Sequence, residues 1–129
     1  MLSVGIDIGG TKVAAGVVDE SGQIVRRIQR LTPSRSPEAV EDAIVESVRE
    51  LAHNLPICAV GIGAAGWIDT EQALVRFSPH LAWRNEPLRD RLSERITVPV
   101  LVDNDANAAA WAEFRFGAGQ GSRVMVCLT

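Results

Sequence analysis

Apolar residues fall in short runs along this chain, separated by glycines or small polar clusters. Residues 2–8 (LSVGIDI) form one such run, which predicts a buried strand. Lys12 to Asp19 (KVAAGVVD) reads as a second strand. Gly9-Gly10 between them reads as a hairpin-type turn, in which paired glycines supply positive φ. Glu20-Ser21-Gly22 is a second turn and Gln23 to Leu31 a third strand, which completes an antiparallel meander. The period then changes. Ser36 suits a helix N-cap and Pro37 the first helical position. Val40, Ile44, Val48, Leu51 and Ala52 recur along one helical face. Ile57 to Ile62 is a fourth strand, and residues 67–84 are irregular with room for a small hairpin. Asn85 to Ile96 carries Leu88, Leu92 and Ile96 at helical spacing. Val98 to Val102 is a fifth strand, and a third helix runs from Ala106 to Phe116 and stops at Gly117. Val124 to Leu128 is a sixth apolar run.

The predicted order is βββ-α-β-α-β-α-β. Helical crossovers join parallel strands, and such strands are covered on both faces. The expected fold is therefore α/β, a mixed five-stranded sheet with helices on both faces. This is the pattern of a ribonuclease-H-like domain of the actin and hexokinase type. Residues 1–117 form that domain. Residues 118–129 read as a glycine-rich linker and a strand with no obvious partner, the first strand of a second lobe. The chain is thus expected to be the N-terminal part of a two-lobe protein.

Composition narrows the function classes. Of the 129 residues 47% are apolar, enough for a real core, and the net charge is -3. A slightly acidic balance argues against a nucleic-acid partner, which normally needs a basic face. No run approaches the roughly 18 apolar residues of a membrane span. The opening Met1-Leu2-Ser3-Val4 has no basic leader. Cys58 and Cys127 lie in apolar runs, so reduced core thiols in a cytoplasmic protein are expected. Two cysteines and two histidines at scattered spacings make no metal site.

Three segments can carry chemistry. Gly5-Ile6-Asp7-Ile8-Gly9-Gly10-Thr11-Lys12 nearly matches a Walker loop, but with threonine and lysine in reversed order and a strand where a helix should follow. A hairpin turn can still hold phosphate. The amides of Gly9, Gly10 and Thr11 can form a concave nest, the Thr11 hydroxyl can donate, and Lys12 can add a point charge. Asp7 could hold magnesium through water. The alternative is a plain glycine hairpin with Asp7 as a turn carboxylate. Gly61-Ile62-Gly63-Ala64-Ala65-Gly66 matches the dinucleotide fingerprint literally, but Trp67-Ile68-Asp69-Thr70 does not open a helix. It reads better as a small-residue strand end that lets a backbone or ligand approach. In Asp103-Asn104-Asp105 three polar residues stand where a buried strand meets a helix, the place where ligands bind parallel sheets. A helix cap needs only one of them.

Together, "IDIGGTKVAAGVVD", "VGIGAAGWID", "FSPHLAWRNEPL" and "VLVDNDANAAAWAEFRFGAG" resemble the ROK family of bacterial sugar kinases, glucokinases above all. The resemblance covers the whole chain in order. It implies ATP-dependent phosphorylation of a hexose, glucose first, at the 6-hydroxyl. Gly9, Gly10, Thr11 and Lys12 would face the ATP phosphates, with Asp7 near magnesium. Asp105, the second acid of the family's [ED]-N-D-A-N motif, would be the catalytic base. Asn104 and Asp105 would bind sugar hydroxyls, with Gly66 close to the sugar and Trp83 in the neighbouring loop. The resemblance also implies a cytoplasmic protein and, at full length, a homo-oligomer. The chain departs from the family at Pro79-His80, where Pro-Asn is common, and His80 reads as a surface loop residue. The family's second glycine-rich phosphate motif, E-x-G-H sugar motif and zinc-binding cysteine cluster are not in this chain. The isolated chain is therefore expected to be inactive, with no zinc site of its own. Two other readings are a non-catalytic sugar-binding or oligomer-forming module, and a ROK-type transcriptional repressor lacking its DNA-binding domain.

Overall fold

The computed structural model describes residues 1–33, 36–72 and 74–129. Residue 73, within the segment expected to be irregular, lies outside them. Five strands make the main sheet: β1 (Leu2–Ile8), β2 (Lys12–Val18), β3 (Ile24–Leu31), β4 (Ile57–Ala64) and, after further elements, β8 (Val100–Asn104). Their spatial order is β3-β2-β1-β4-β8. The first three pair antiparallel, while β1–β4 and β4–β8 pair parallel. This is the mixed sheet that the hydrophobic pattern predicts.

The alternation of side chains gives the sheet two unlike faces. Register aligns Val17, Val4, Val60 and Val100 in one row, and Ala15, Ile6, Ile62 and Val102 in the next. All eight are buried. Helix α1 (Pro37–Ala52) lays Val40, Ile44, Val45, Val48 and Leu51 on this face. Ser36 caps it by accepting from the Ala39 amide. Helix α2 (Leu88–Ser93) adds Leu88 and Leu92 to the same core. The exposed strand β3 reaches α1 through its arginines. Arg26 donates to the carbonyls of Leu51 and His53, and Arg30 to Ser47 Oγ.

The opposite face carries Gly16, Gly5, Gly61 and Leu101 in one row and Ala14, Asp7, Gly63 and Asp103 in the next. Helix α3 (Asp105–Phe116) packs over β4 and β8 on this side, so helices do lie on both faces. It buries no residue fully, and Trp111 is 61% exposed. A cavity of about 960 Å³ lies between α3 and the glycine rows.

Three local expectations are corrected. The segment after β4 is a small three-stranded sheet, β5 (Trp67–Ile68), β6 (Val75–Phe77) and β7 (Arg84–Glu86), and not one hairpin. The helix expected from Asn85 starts only at Leu88. Pro87 has no amide to donate and biases Glu86 toward extended backbone, and Asn85 sits at φ 49°. Residues 124–128 form no strand, with Val124, Val126 and Leu128 all over 80% exposed. A strand without a neighbour leaves its amides to water. Cys127 is accordingly exposed and not a core thiol, whereas half-buried Cys58 lies 3.5 Å from Ser3 Oγ.

Candidate active site

The parallel register decides the geometry. Ile8 pairs with Ala64, and Ala64 with Asn104. These residues are the C-terminal ends of β1, β4 and β8. The Gly9-Gly10-Thr11 turn, Ala65-Gly66 and Asp105 therefore leave the sheet on a single rim. Ala65 N donates to Ile8 O at 3.3 Å, which ties two of these exits together.

The glycine turn is held from one side. Gly9 N donates to Lys12 O, Thr32 N to Thr11 O and Thr32 Oγ1 to Gly9 O, each at 2.9 Å. Neither Gly9 nor Gly10 has positive φ, contrary to the expectation for a tight hairpin. Space is the reason for Gly10. A Cβ there would lie 2.7 Å from His80 Cβ. Thr11 and Lys12 are exposed, and no helix follows the turn, so the Walker geometry is absent.

At the end of β8, Asn104 is the N-cap of α3. Its Oδ1 accepts from the amides of Ala106 at 2.9 Å and Asn107 at 3.1 Å. Its Nδ2 donates to Gly66 O at 2.8 Å. Asn104 thus both caps the helix and anchors the loop at Gly66. A side chain at Gly66 would meet Phe77 O at 2.3 Å, so this close backbone approach needs glycine. Asp105 begins α3, with its Oδ1 on the Ala106 amide at 2.9 Å. The start of α3 lies directly over β4: a Cβ on Gly63 would be 3.4 Å from Asp105 Cα, an ordinary contact. Asp7 lies near enough to feel Asp105. Partial burial, and then the charge of Asp105, push the Asp7 carboxyl above its usual range.

Two functional candidates were not legible in the sequence. Asp103 Oδ1 accepts from the Asn104 amide at 2.7 Å and Asn107 Nδ2 at 3.2 Å, and its Oδ2 from Gln72 Nε2 at 3.1 Å. It joins the small sheet to α3, and only its place in the polar triplet hinted at a role. His80 packs on the glycine turn, which no local pattern signals. Trp83, expected near the sugar, is fully buried, and its Nε1 has no hydrogen-bond acceptor among the described residues. The G-x-G-x-x-G match covers the end of β4 and the bend that follows and opens no helix, so it lacks the dinucleotide geometry.

A mixed sheet with a glycine hairpin and an acidic strand end on one rim defines an α/β domain of the actin and hexokinase type. The comparisons agree. The chain matches the ROK family over residues 3–129, and it belongs to that family. It is 49% identical to the glucokinase of Streptomyces coelicolor over 128 residues, covering 99% of this chain and 40% of that protein. The structure of a ROK family glucokinase from Streptomyces griseus, in complex with glucose and AMPPNP, superposes with a TM-score of 0.90. The two are 52% identical, over 94% of this chain and 38% of that one. The xylose repressor of Bacillus subtilis is a more distant relative, 34% identical over 92% of this chain and 32% of the repressor. The chain thus spans about 40% of the length of the glucokinases it matches.

Proposed function

We propose that this chain is the first lobe of a two-lobe, ATP-dependent hexose kinase acting on glucose at its 6-hydroxyl. The observation that carries the reading is the shared rim, where the phosphate-type turn and Asp105 leave β1 and β8, parallel strands on either side of β4, at the same end. The relatives supply the substrate class, since two of them are glucokinases and one is a complex with glucose and AMPPNP. A repressor relative means that fold alone does not make a kinase.

In this reading the amides of Gly10 and Thr11 hold phosphate oxygens, with the Thr11 hydroxyl and Lys12 beside them, while the Gly9 amide, expected to join them, closes the turn on Lys12 O. Asn104 and the Gly66 backbone orient the sugar. The sugar O6 attacks the γ-phosphorus in line, its bond to the bridging oxygen breaks, and ADP leaves. Asp105 orients the hydroxyl and takes its proton late in the transfer. Asp7 would hold a magnesium ion through water, which when bound neutralises phosphate charge. Asp105 is near enough that its charge, after partial burial, raises the Asp7 carboxyl, so two acids face this part of the cleft. The glycine turn forms one wall of the cleft, and the second lobe would supply the other and exclude water on closure. The isolated chain would then bind sugar weakly and turn over little or none.

The test is to incubate the full-length protein with glucose, ATP and magnesium and follow the phosphorus signals by NMR. Stoichiometric hexose 6-phosphate and ADP are expected. Sugar binding with no phosphoryl transfer would favour a binding module or repressor instead.

A further inference from the structure

We infer that His80 is a positioning residue that couples the sugar side of the site to the phosphate turn, a role that rests on the kinase reading above. The loop carrying His80 is built to be stiff. Arg84 Nη1 donates to the carbonyls of Ser78 at 3.1 Å, Leu81 at 3.4 Å and Trp83 at 2.7 Å. Its guanidinium also stacks 4.3 Å from the Phe77 ring centroid. Ser78, fully buried, donates from Oγ to Ala65 O at 2.6 Å. Leu81 and Trp83 anchor the other end in the core. Residues 78–84 are thus closed around one arginine, and His80 stays outside, exposed, at the tip.

That tip meets the phosphate turn at its least forgiving point. A Cβ on Gly10 would lie 2.7 Å from His80 Cβ and 3.2 Å from its Cγ. The imidazole stem therefore rests on the Gly10 backbone, leaving no room between. The same loop is tied to Ala65 by Ser78, next to Gly66, which Asn104 holds. A sugar that orders Gly66 and Asn104 presses on this loop, and His80 passes the constraint to the turn whose amides would face phosphate. Coupling of this kind is reciprocal and typically amounts to about five- to 150-fold in affinity.

Two measurements test the inference. Thermal unfolding of Gly10→Ala, His80→Gly and the double variant asks whether the contact exists, independent of any activity. Gly10→Ala should lower the midpoint, and His80→Gly in the same chain should restore part of the loss. Additive losses would overturn the contact. In the full-length protein, the affinity for AMPPNP is then measured with and without saturating glucose. Wild type should bind AMPPNP at least about fivefold more tightly with glucose present. His80→Gly, which removes the Cβ that meets Gly10, should lose most of that factor, while its affinity for glucose alone stays within about twofold. Glucose and AMPPNP binding with an unchanged coupling factor in His80→Gly overturns this inference alone. Failure of wild type to bind either ligand overturns the kinase reading and this inference with it.

Discussion

Glu41 offers the sharpest stability test, because it is a buried acid with too little counter-charge. It projects from α1 into the core and is 4% exposed, beside Glu86 of β7, which is 9% exposed. Among the described residues one guanidinium, Arg91 of α2, serves both. It lies 3.1 Å from Glu86 Oε1 and 3.9 Å from Glu41 Oε1. Arg95 adds a weaker favourable field, but its own close partner is Asp42 at 2.7 Å. Burial, and then a hydrogen bond with Glu86, push the Glu41 carboxyl from 4.5 up to about 7. The folded state therefore keeps a proton that the unfolded chain releases across that interval. Linkage fixes the sign: the native state binds more protons, so stability falls as pH rises from 4.5 to about 7 and levels off above. At about 1.4 kcal/mol per pH unit the loss amounts to about 3 kcal/mol. Glu41→Gln keeps the shape and the neutral donor, so it should remove this slope. Urea unfolding at several pH values, followed by the fluorescence of buried Trp83, gives the difference directly. The variant should match wild type within about 1 kcal/mol near pH 4.5 and exceed it by about 2–3 kcal/mol at pH 8. Asp7, also raised, is common to both proteins and cancels. Parallel curves, or a Gln variant less stable at pH 8, would refute the shared-proton account.

Asn104→Ala removes the cap of α3 and the Gly66 tie, and should cost about 1–3 kcal/mol in chemical unfolding. Asn104→Asp keeps the cap but turns a carboxylate oxygen on Gly66 O, so it should recover only part of that stability and still raise the sugar KM of the full-length enzyme. Ile44→Ala, at a fully buried position of α1, should cost about 2–5 kcal/mol by the same measurement. Gly63→Ala should be tolerated, because its Cβ would sit at ordinary contact distance from Asp105 Cα and Ala108 Cβ. Gly63→Leu should lift the start of α3 and reduce kcat more than its effect on the thermal midpoint would suggest.

The main sheet was legible because period-two alternation and glycine breaks record burial directly, as in the rows built on Val4 and Ile6. Helix α1 was legible from Ser36, Pro37 and its apolar spacing. The small sheet was not, because strands of two or three residues are too short to show a period. Asn85 and Glu86 looked helical from the leucines that follow, but Pro87 overrode the pattern. The run at 124–128 is apolar but pairs with no strand among the described residues. Asn104 and Asp105 stood out as polar residues at a strand end. Glu41, Glu86 and Arg91 did not, since nothing local marks three charged residues that meet only through tertiary packing. Gly10 was noticed for the wrong reason: the sequence suggested a torsion angle, and the structure shows a neighbour.

The central claim, that Asp105 faces a sugar hydroxyl across from the glycine turn, is tested most directly by Asp105→Asn in the full-length protein. The measurement is the rate of phosphoryl transfer from ATP to glucose at saturation, set beside the dissociation constant for glucose. Loss of the base should cut kcat by about 10²–10⁴-fold and leave glucose binding within a few fold. A variant that keeps kcat within about tenfold of wild type while binding glucose normally would contradict the account.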